Sequence, residues 1–255
     1  MAIPSKDIPW QKIFDDYNLN EHDFDESPVK ITAQQIKLAC QDFKKTAEKE
    51  VRVLCYQATR ETRPKVFIDK GLFLLPTKNG VYSIVKGEGY IDIPYVEDET
   101  ILYSSNLGFE LETSKVGDSE MQHLDFAYAS SLMRTFMEDE TLVLTIRGRK
   151  YTPQFDFRVG KHTITTQSVQ TEVDAGYEGK NQVGLVEGKN SKMKNTIIRQ
   201  LYYPFRQWQN HTDKKVIPLF FEKLGNTYLF WKYEFSDVED YNSIKLVKSA
   251  KYKIE

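Results

Sequence analysis

Residues 171–190 read TEVDAGYEGKNQVGLVEGKN, a stretch that combines an apolar run with closely spaced charges. Residues 182–187 (QVGLVE) are apolar and rich in β-branched side chains, which predicts a short buried strand. The residues before the glycine-rich segment alternate towards a second strand, and the glycines supply the connection. Two adjacent strands would bring Asp174, Glu187 and Lys189 to one end of a sheet, with the last two on the same side.

Two carboxylates and a lysine at one place have a chemical use. Carboxylate oxygens are ligands for Mg²⁺, which keeps several waters and needs few protein groups. A metal held in this way polarises a phosphodiester and lowers the pKa of water, and the lysine would place or deprotonate that water or neutralise charge on the phosphate. The alternative is a solvated hairpin with a surface Glu/Lys pair, because the pattern D-x(12)-E-x-K is loose. An acid that ends an apolar run favours the site, because a buried charge is costly unless it binds something.

The segment EVDAGYEG…VGLVEGKN resembles the signature of the PD-(D/E)XK nucleases. Asp174 matches the first acid, Glu187 the second acid and Lys189 the lysine. The sequence departs from the pattern at Val173, where the signature has proline, its least constrained letter. Residues 195–208 (NTIIRQLYYPFRQW) resemble a segment of the type IRQLYYPYR found in a group of type II restriction endonucleases.

The resemblance runs over most of the chain and is strongest over residues 119–208. It implies a restriction-endonuclease-like core whose catalytic groups project from the edge of central strands. It further implies Mg²⁺ as cofactor, bound by Asp174, Glu187 and the backbone carbonyl of Gly188, with Lys189 positioning the attacking water. The products would carry 5′-phosphate and 3′-hydroxyl ends.

Composition places the chain among ordinary globular proteins. The net charge of −2 argues against a protein that coats nucleic acid nonspecifically, although a local basic surface would still allow DNA binding. No apolar run reaches the ~18 residues of a membrane span, and the N-terminus does not resemble a signal peptide. Cys40 and Cys55 form neither a metal pattern nor a disulfide framework, which fits a reducing cytoplasm.

The order of predicted elements indicates an α/β (α+β) fold with a mixed central sheet flanked by helices. We predict a nuclease core over residues 101–255 and an N-terminal helix-plus-hairpin extension over residues 1–100. In the core, Ser119 caps a predicted helix to about Glu138, and a second predicted helix spans residues 195–208.

In the extension, Thr32 caps a predicted helix that ends near Lys49. Residues 52–57 and 66–68 are predicted strands. Asn79-Gly80 predicts the turn of a hairpin. A helix followed by hairpins suits a DNA-recognition module, and a structural extension with an ordinarily charged surface is the alternative.

Three further residues are candidates for the site. Glu172 is two residues from Asp174 and should share its side of the strand, either as a metal ligand or as a neighbour that balances Lys189. Glu120 begins a predicted helix and is either a further acid of the metal site, as the resemblance implies, or an acid that the helix dipole alone favours. Gln200 could bond the site carboxylates or the DNA backbone, or be an exposed helix residue.

Four basic residues follow the predicted lysine and form a candidate phosphate-binding edge. They are Lys192, Lys194, Arg199 and Arg206. The alternative is a solvated helix face.

The resemblance implies a type II restriction endonuclease that cuts double-stranded DNA. Cutting two strands of a short site calls for two active sites, so we expect a homodimer. The resemblance also implies a cognate DNA methyltransferase as functional partner. The rival functions are a structure-selective repair or recombination nuclease and a non-catalytic DNA-binding protein on the same fold.

Overall fold

The N-terminal part of the chain combines short helices with a small sheet. The computed structural model describes residues 6–254, so the first five residues of the predicted extension and the last of the predicted core lie outside it. Thr32 caps a helix as predicted, because its hydroxyl accepts from the Gln35 N–H and the Gln35 side chain accepts from the Thr32 N–H. The helices are α1 (Asp7–Asp16), α2 (Ala33–Cys40), α3 (Thr46–Lys49), α4 (Val51–Leu54) and α5 (Lys65–Asp69).

Two predicted strands of this part are helical instead. Residues 52–57 overlap α4, in which Val51 and Leu54 are buried three positions apart. Residues 66–68 lie in α5, whose first turn is closed by hydrogen bonds from the Phe67 and Ile68 N–H groups to the Pro64 carbonyl. Apolar runs this short satisfy a strand and a buried helical turn equally well, so periodicity could not separate them.

The predicted hairpin forms, and its two faces serve two cores. β2 (Leu72–Lys78) and β3 (Val81–Lys86) join at Asn79-Gly80, where Gly80 has φ +73°, and β1 (Val29–Thr32) pairs with β3. Leu72, Leu74 and Ile84 pack against α1 and α2. Their neighbours Phe73, Leu75 and Val85 pack into the core of the C-terminal part. The hairpin therefore fastens the extension to the rest of the molecule.

The C-terminal part is built on a mixed sheet, as the sequence predicts. Within residues 6–254 its order is β5-β14-β13-β12-β10-β9-β6, with β10–β12 and β14–β5 parallel and the other pairs antiparallel. Its strands are β5 (Ile101–Tyr103), β6 (Val143–Tyr151), β9 (Gln170–Glu178), β10 (Gln182–Lys189), β12 (Lys215–Leu224), β13 (Thr227–Phe235) and β14 (Ile244–Ile254). Two smaller pairs are β4 (Tyr90–Asp92) with β11 (Asn195–Ile197), and β7 (Phe155–Val159) with β8 (His162–Thr166).

Helices cover the two faces of this sheet. α6 (Glu120–Ala129) and α7 (Leu132–Met137) pack on the face that carries Val186, and α8 (Arg199–Gln209) packs on the face that carries Val183 and Leu185. Among residues 6–254, no helix is long and apolar enough to cross a membrane.

The predicted helices of the core are cut shorter than expected. The helix predicted to run from Ser119 to Glu138 divides into α6 and α7, because Ser131 adopts a left-handed conformation with φ 66°. Residues 195–197 of the second predicted helix form β11, because their backbone pairs with β4. That helix nevertheless continues through Pro204 to Gln209.

A bulge interrupts β9 at the predicted site. Ile146 pairs with Gly176 and Gly148 pairs with Val173, so three residue steps on β9 oppose two on β6. The extra residue lies in the Asp174–Ala175 segment. Val173 consequently packs on the α8 side of the sheet while Ala175 packs on the α6 side. Bulges re-aim side chains next to active sites, and this one sets the direction of Asp174.

The close pairing of Gly176 with Ile146 gives a test of this register. A Cβ built at Gly176 would lie 2.6 Å from the Ile146 Cβ, which cannot move without its backbone. We expect Gly176→Ala to lower the free energy of unfolding by about 1–3 kcal/mol, through overpacking. Gly108→Ala is the control, because a Cβ there meets nothing within 4 Å. Equal melting temperatures for the two variants would contradict the register.

Candidate active site

A cleft of 330 Å³ opens where β9 and β10 approach the start of α6 and the start of α8. Its walls are strongly polar. They comprise the acids Glu120, Glu172, Asp174 and Glu187, the bases Lys189 and Arg199, and the neutral residues Gln170, Thr171, Gln200 and Tyr203. The structure therefore gathers the three predicted catalytic residues and the three further candidates at one place.

Asp174 is tied to the neighbouring strand through Gly188. The Gly188 N–H donates to Asp174 Oδ2 at 2.7 Å. The absence of a side chain at Gly188 matters, because a Cβ there would lie 3.3 Å from the Glu120 Cβ and 3.5 Å from Asp174 Oδ2. Glycine thus lets α6 approach and brings Glu120 beside Asp174.

Glu187 is held by two donors. Its Oε1 accepts from Lys189 Nζ, which also donates to the Gly188 carbonyl at 3.0 Å. The same Oε1 accepts from Gln200 Nε2 at 2.5 Å. The buried Thr196 hydroxyl donates to Gln200 Oε1 at 3.0 Å and so fixes which way the amide points. Of the alternatives for Gln200, the structure shows the hydrogen bond to a site carboxylate.

Two buried carboxylates share the positive charge of one lysine: Lys189 contacts Glu187, and its charge also acts on Asp174. Burial raises the pKa of the Glu187 carboxyl to about 7; Lys189 opposes the shift and the Asp174 charge adds to it. Burial also raises the pKa of Asp174, although the hydrogen bond from the Gly188 N–H and the charge of Lys189 both act to lower it. Burial alone would lower the pKa of Lys189, but the surrounding carboxylates, Glu187 first among them, raise it overall. The lysine stays protonated, and the buried negative charge is incompletely balanced.

The other predicted residues divide between the cleft and the surface around it. Glu172 is exposed and accepts from Arg149 Nε at 3.1 Å, so it faces a cation of β6 as well as Asp174. Arg199 lines the cleft. Of the remaining basic candidates within the described chain, Lys192, Lys194 and Arg206 lie outside its walls.

Arg206 has other partners. Its Nη1 donates to the Asp156 carbonyl at 3.1 Å and to the Tyr202 hydroxyl at 2.7 Å, which ties α8 to its surroundings. Lys192 Nζ lies 5.4 Å from the centre of the exposed Tyr95 ring.

The sequence pattern missed Thr196, Gln170, Thr171 and Tyr203. Thr196 precedes Gln200 by four residues, but only its short strand β11 places its hydroxyl toward that amide. Thr171 donates to Gln207 of α8 at 2.5 Å, which links β9 to that helix below the cleft. Such links between distant elements leave no local signal in the sequence.

The donor set fits a hard cation that needs few protein ligands. Within residues 6–254, no three His, Cys, Asp or Glu side chains are grouped so that they could hold a metal ion by themselves. Mg²⁺ needs only one or two carboxylates and completes its shell with water. Asp174 and Glu187, with the Gly188 carbonyl beside them, meet that smaller requirement, and their uncompensated charge favours a cation.

Comparison with protein families gives a clear assignment. A family model described as Domain of unknown function (DUF6997) matches residues 85–253, which include the whole cleft. The chain belongs to the DUF6997 family. A second model, described as Domain of unknown function (DUF6996), matches residues 7–84. No curated protein and no solved structure matches this DUF6997 chain.

The raised pKa of Glu187 makes stability depend on pH. Between the ordinary value of 4.5 and about 7 the folded state binds more protons than the unfolded chain, so stability falls as pH rises through this window. Glu187→Gln removes the buried charge. We expect it to raise the free energy of unfolding at pH 8 by about 2–3 kcal/mol and to have little effect at pH 4.5.

Thermal unfolding at both pH values, with a chelator present, measures this difference. The expected rise at pH 8 is roughly 4–10 °C for a chain of this size. Glu21→Gln, at an exposed position, serves as the control. A Glu187→Gln variant that is less stable than the parent at pH 8 would refute the charge imbalance.

Proposed function

We propose that this chain is a Mg²⁺-dependent endonuclease that cuts double-stranded DNA, of the type II restriction kind. The observation that carries the proposal is the convergence of Asp174, Glu187 and Lys189 in one cleft at the edge of a mixed sheet. The match of these residues, in order and spacing, to the PD-(D/E)XK signature supports the choice of DNA as substrate.

In this function Asp174 and Glu187 hold Mg²⁺, with the Gly188 carbonyl as a further oxygen ligand. The bound ion supplies charge stabilisation at the phosphodiester and lowers the pKa of water. Lys189 acts as a cation: its ammonium group donates to the attacking water and to the phosphate.

Gln200 keeps the Glu187 carboxylate oriented while its other donor, Lys189, is engaged with substrate. Water attacks phosphorus in line with the leaving oxygen, and the P–O3′ bond breaks. The proton lost by the attacking water passes to bulk solvent, and a solvent water supplies the proton that the 3′ oxygen needs. The ends are a 5′-phosphate and a 3′-hydroxyl.

The rest of the proposal follows the resemblance to restriction enzymes. The core is restriction-endonuclease-like, two copies of the chain cut the two strands of a short site, and a cognate DNA methyltransferase protects the host. Lys192, Lys194, Arg199 and Arg206 remain the proposed contacts to DNA phosphates. Arg199 has the strongest support, because it lines the cleft.

Incubation of the purified protein with a long unmethylated duplex and Mg²⁺ separates this function from its rivals. Discrete fragments are expected for a restriction enzyme. Preferential cutting of branched or nicked duplexes would instead indicate a repair nuclease. Retention of DNA on a gel without cutting, at any Mg²⁺ concentration, would indicate a binding protein.

Single substitutions in the cleft test the roles of its residues. Glu187→Ala and Lys189→Ala should each slow cutting by at least about 10²–10³-fold, because each removes charge stabilisation of the reacting phosphate. DNA binding in Ca²⁺, measured by gel retardation, should be largely retained. Lys180→Ala, in the exposed turn at the far end of β10, is the matched control and should cut normally. Near-normal cutting by either site variant would show that the site is assigned wrongly.

A further inference from the structure

A second cavity adjoins the carboxylate cleft. It measures 310 Å³ and lies between the N-terminal extension and the core, reaching from the β2–β3 hairpin to the start of α8. Gln170, Arg199 and Gln200 line this cavity and the carboxylate cleft alike. A molecule that occupies the cleft can therefore extend into the cavity without leaving the protein surface.

The wall of this cavity contains polar groups that have no partner. Gln57 is 3 % exposed, and neither its amide nitrogen nor its amide oxygen has a hydrogen-bond partner among residues 6–254. The buried Nε of Arg199 is also unpaired within the described chain. Buried polar atoms in folded proteins are nearly always hydrogen-bonded, so these groups mark a part of the wall where a water or a ligand group supplies the missing bonds.

The unpaired groups define the chemistry of that partner. A carboxamide presents a donor and an acceptor side by side, and the guanidinium adds a donor. The edge of a nucleobase presents the complementary pair, and glutamine bonds adenine in this bidentate way. Tyr56 and Tyr82 supply aromatic surface in the same wall. The volume lies at the small end of the range for ligand pockets, which suits one base and not a large ligand.

The charges around the cavity suit a nucleotide. Arg52 and Lys78 belong to its lining, so cations stand at its wall as carboxylates stand in the cleft. The half of the ligand that carries phosphate would meet the Mg²⁺ that the cleft carboxylates hold in the proposed function, and the uncharged heterocycle would meet Gln57.

We propose that the cavity receives one unstacked nucleobase of the DNA strand whose phosphodiester lies in the carboxylate cleft. The proposal rests on the proposed nuclease function for its source of DNA. Turning a base out of a duplex costs unstacking energy, which hydrogen bonds to the base edge and aromatic contacts offset. Gln57 is the residue that reads the base, and Arg199 spans the base-binding and phosphate-binding parts.

Saturation-transfer NMR with the four deoxynucleoside 5′-monophosphates in Ca²⁺ tests the proposal on the full chain. The probe needs no cleavage and no knowledge of a recognition site. We expect transfer to the base protons of at least one nucleotide, stronger than transfer to its sugar protons. Added inorganic phosphate should compete with the nucleotide's phosphate group for the carboxylate cleft and should not compete with its base for the cavity. Absence of base contact for all four nucleotides would overturn the proposal.

Two substitutions at Gln57 make the test specific. Gln57→Leu and Gln57→Met remove the amide and keep its bulk, and should weaken nucleotide binding about tenfold, as loss of a bidentate base contact does. Their melting temperatures should not fall, because they delete unpaired buried groups. Gln41→Leu, at an exposed position of the same extension, should bind as the parent does.

The outcomes separate this proposal from the proposed function. If the protein never cuts DNA but contacts a base in a way that depends on Gln57, the nuclease function is refuted and the base-binding cavity is supported. If the protein cuts DNA but the Gln57 variants bind nucleotides as the parent does, the nuclease function is supported and the base-binding cavity is refuted.

Discussion

The shortage of positive charge beside Asp174 and Glu187 is the constraint on which the site depends. Lys189 is the cation that contacts Glu187 directly, yet burial still raises the pKa of each acid. The protein nevertheless keeps these carboxylates in place, one by a backbone N–H and the other by a glutamine that is itself oriented by a threonine. A scaffold that holds mutually repelling groups so firmly sacrifices stability for a function.

The sequence predicted the parts of the fold that local patterns encode. Thr32 and Ser119 cap helices where expected, and Asn79-Gly80 turns a hairpin. The two strands that carry the acids and the lysine also form as predicted. Each of these features depends on neighbouring residues, whose side chains and backbone preferences can be read directly.

What escaped prediction depends on partners far away in the chain. The bulge near Asp174 arises from mismatched steps on β6 and β9, which the alternation along β9 alone does not reveal. Residues 195–197 run without a break into the helical pattern that follows, but pairing with β4 draws them into a strand. The unpaired state of Gln57 can be recognised only once the whole wall around it is known.

The start of α8 connects these observations. Arg199 and Gln200 stand where the carboxylate cleft and the second cavity meet, directly after the short strand that fixes Thr196. The segment between β10 and β12 thus does more than cross from one parallel strand to the other. It aligns one acid of the cleft and separates the carboxylate cleft from the second cavity.

The β2–β3 hairpin, whose two faces pack into different cores, lies where the two family matches meet. Their common boundary, between residues 84 and 85, falls inside β3, which spans Val81–Lys86. Division of the polypeptide there would cut β3 and expose apolar side chains on each fragment. Phe73 on the N-terminal fragment, for example, would lose the C-terminal core against which it packs. Such fragments would recombine more readily than they would persist alone. In this chain the two family matches therefore meet inside a strand whose side chains pack into both cores.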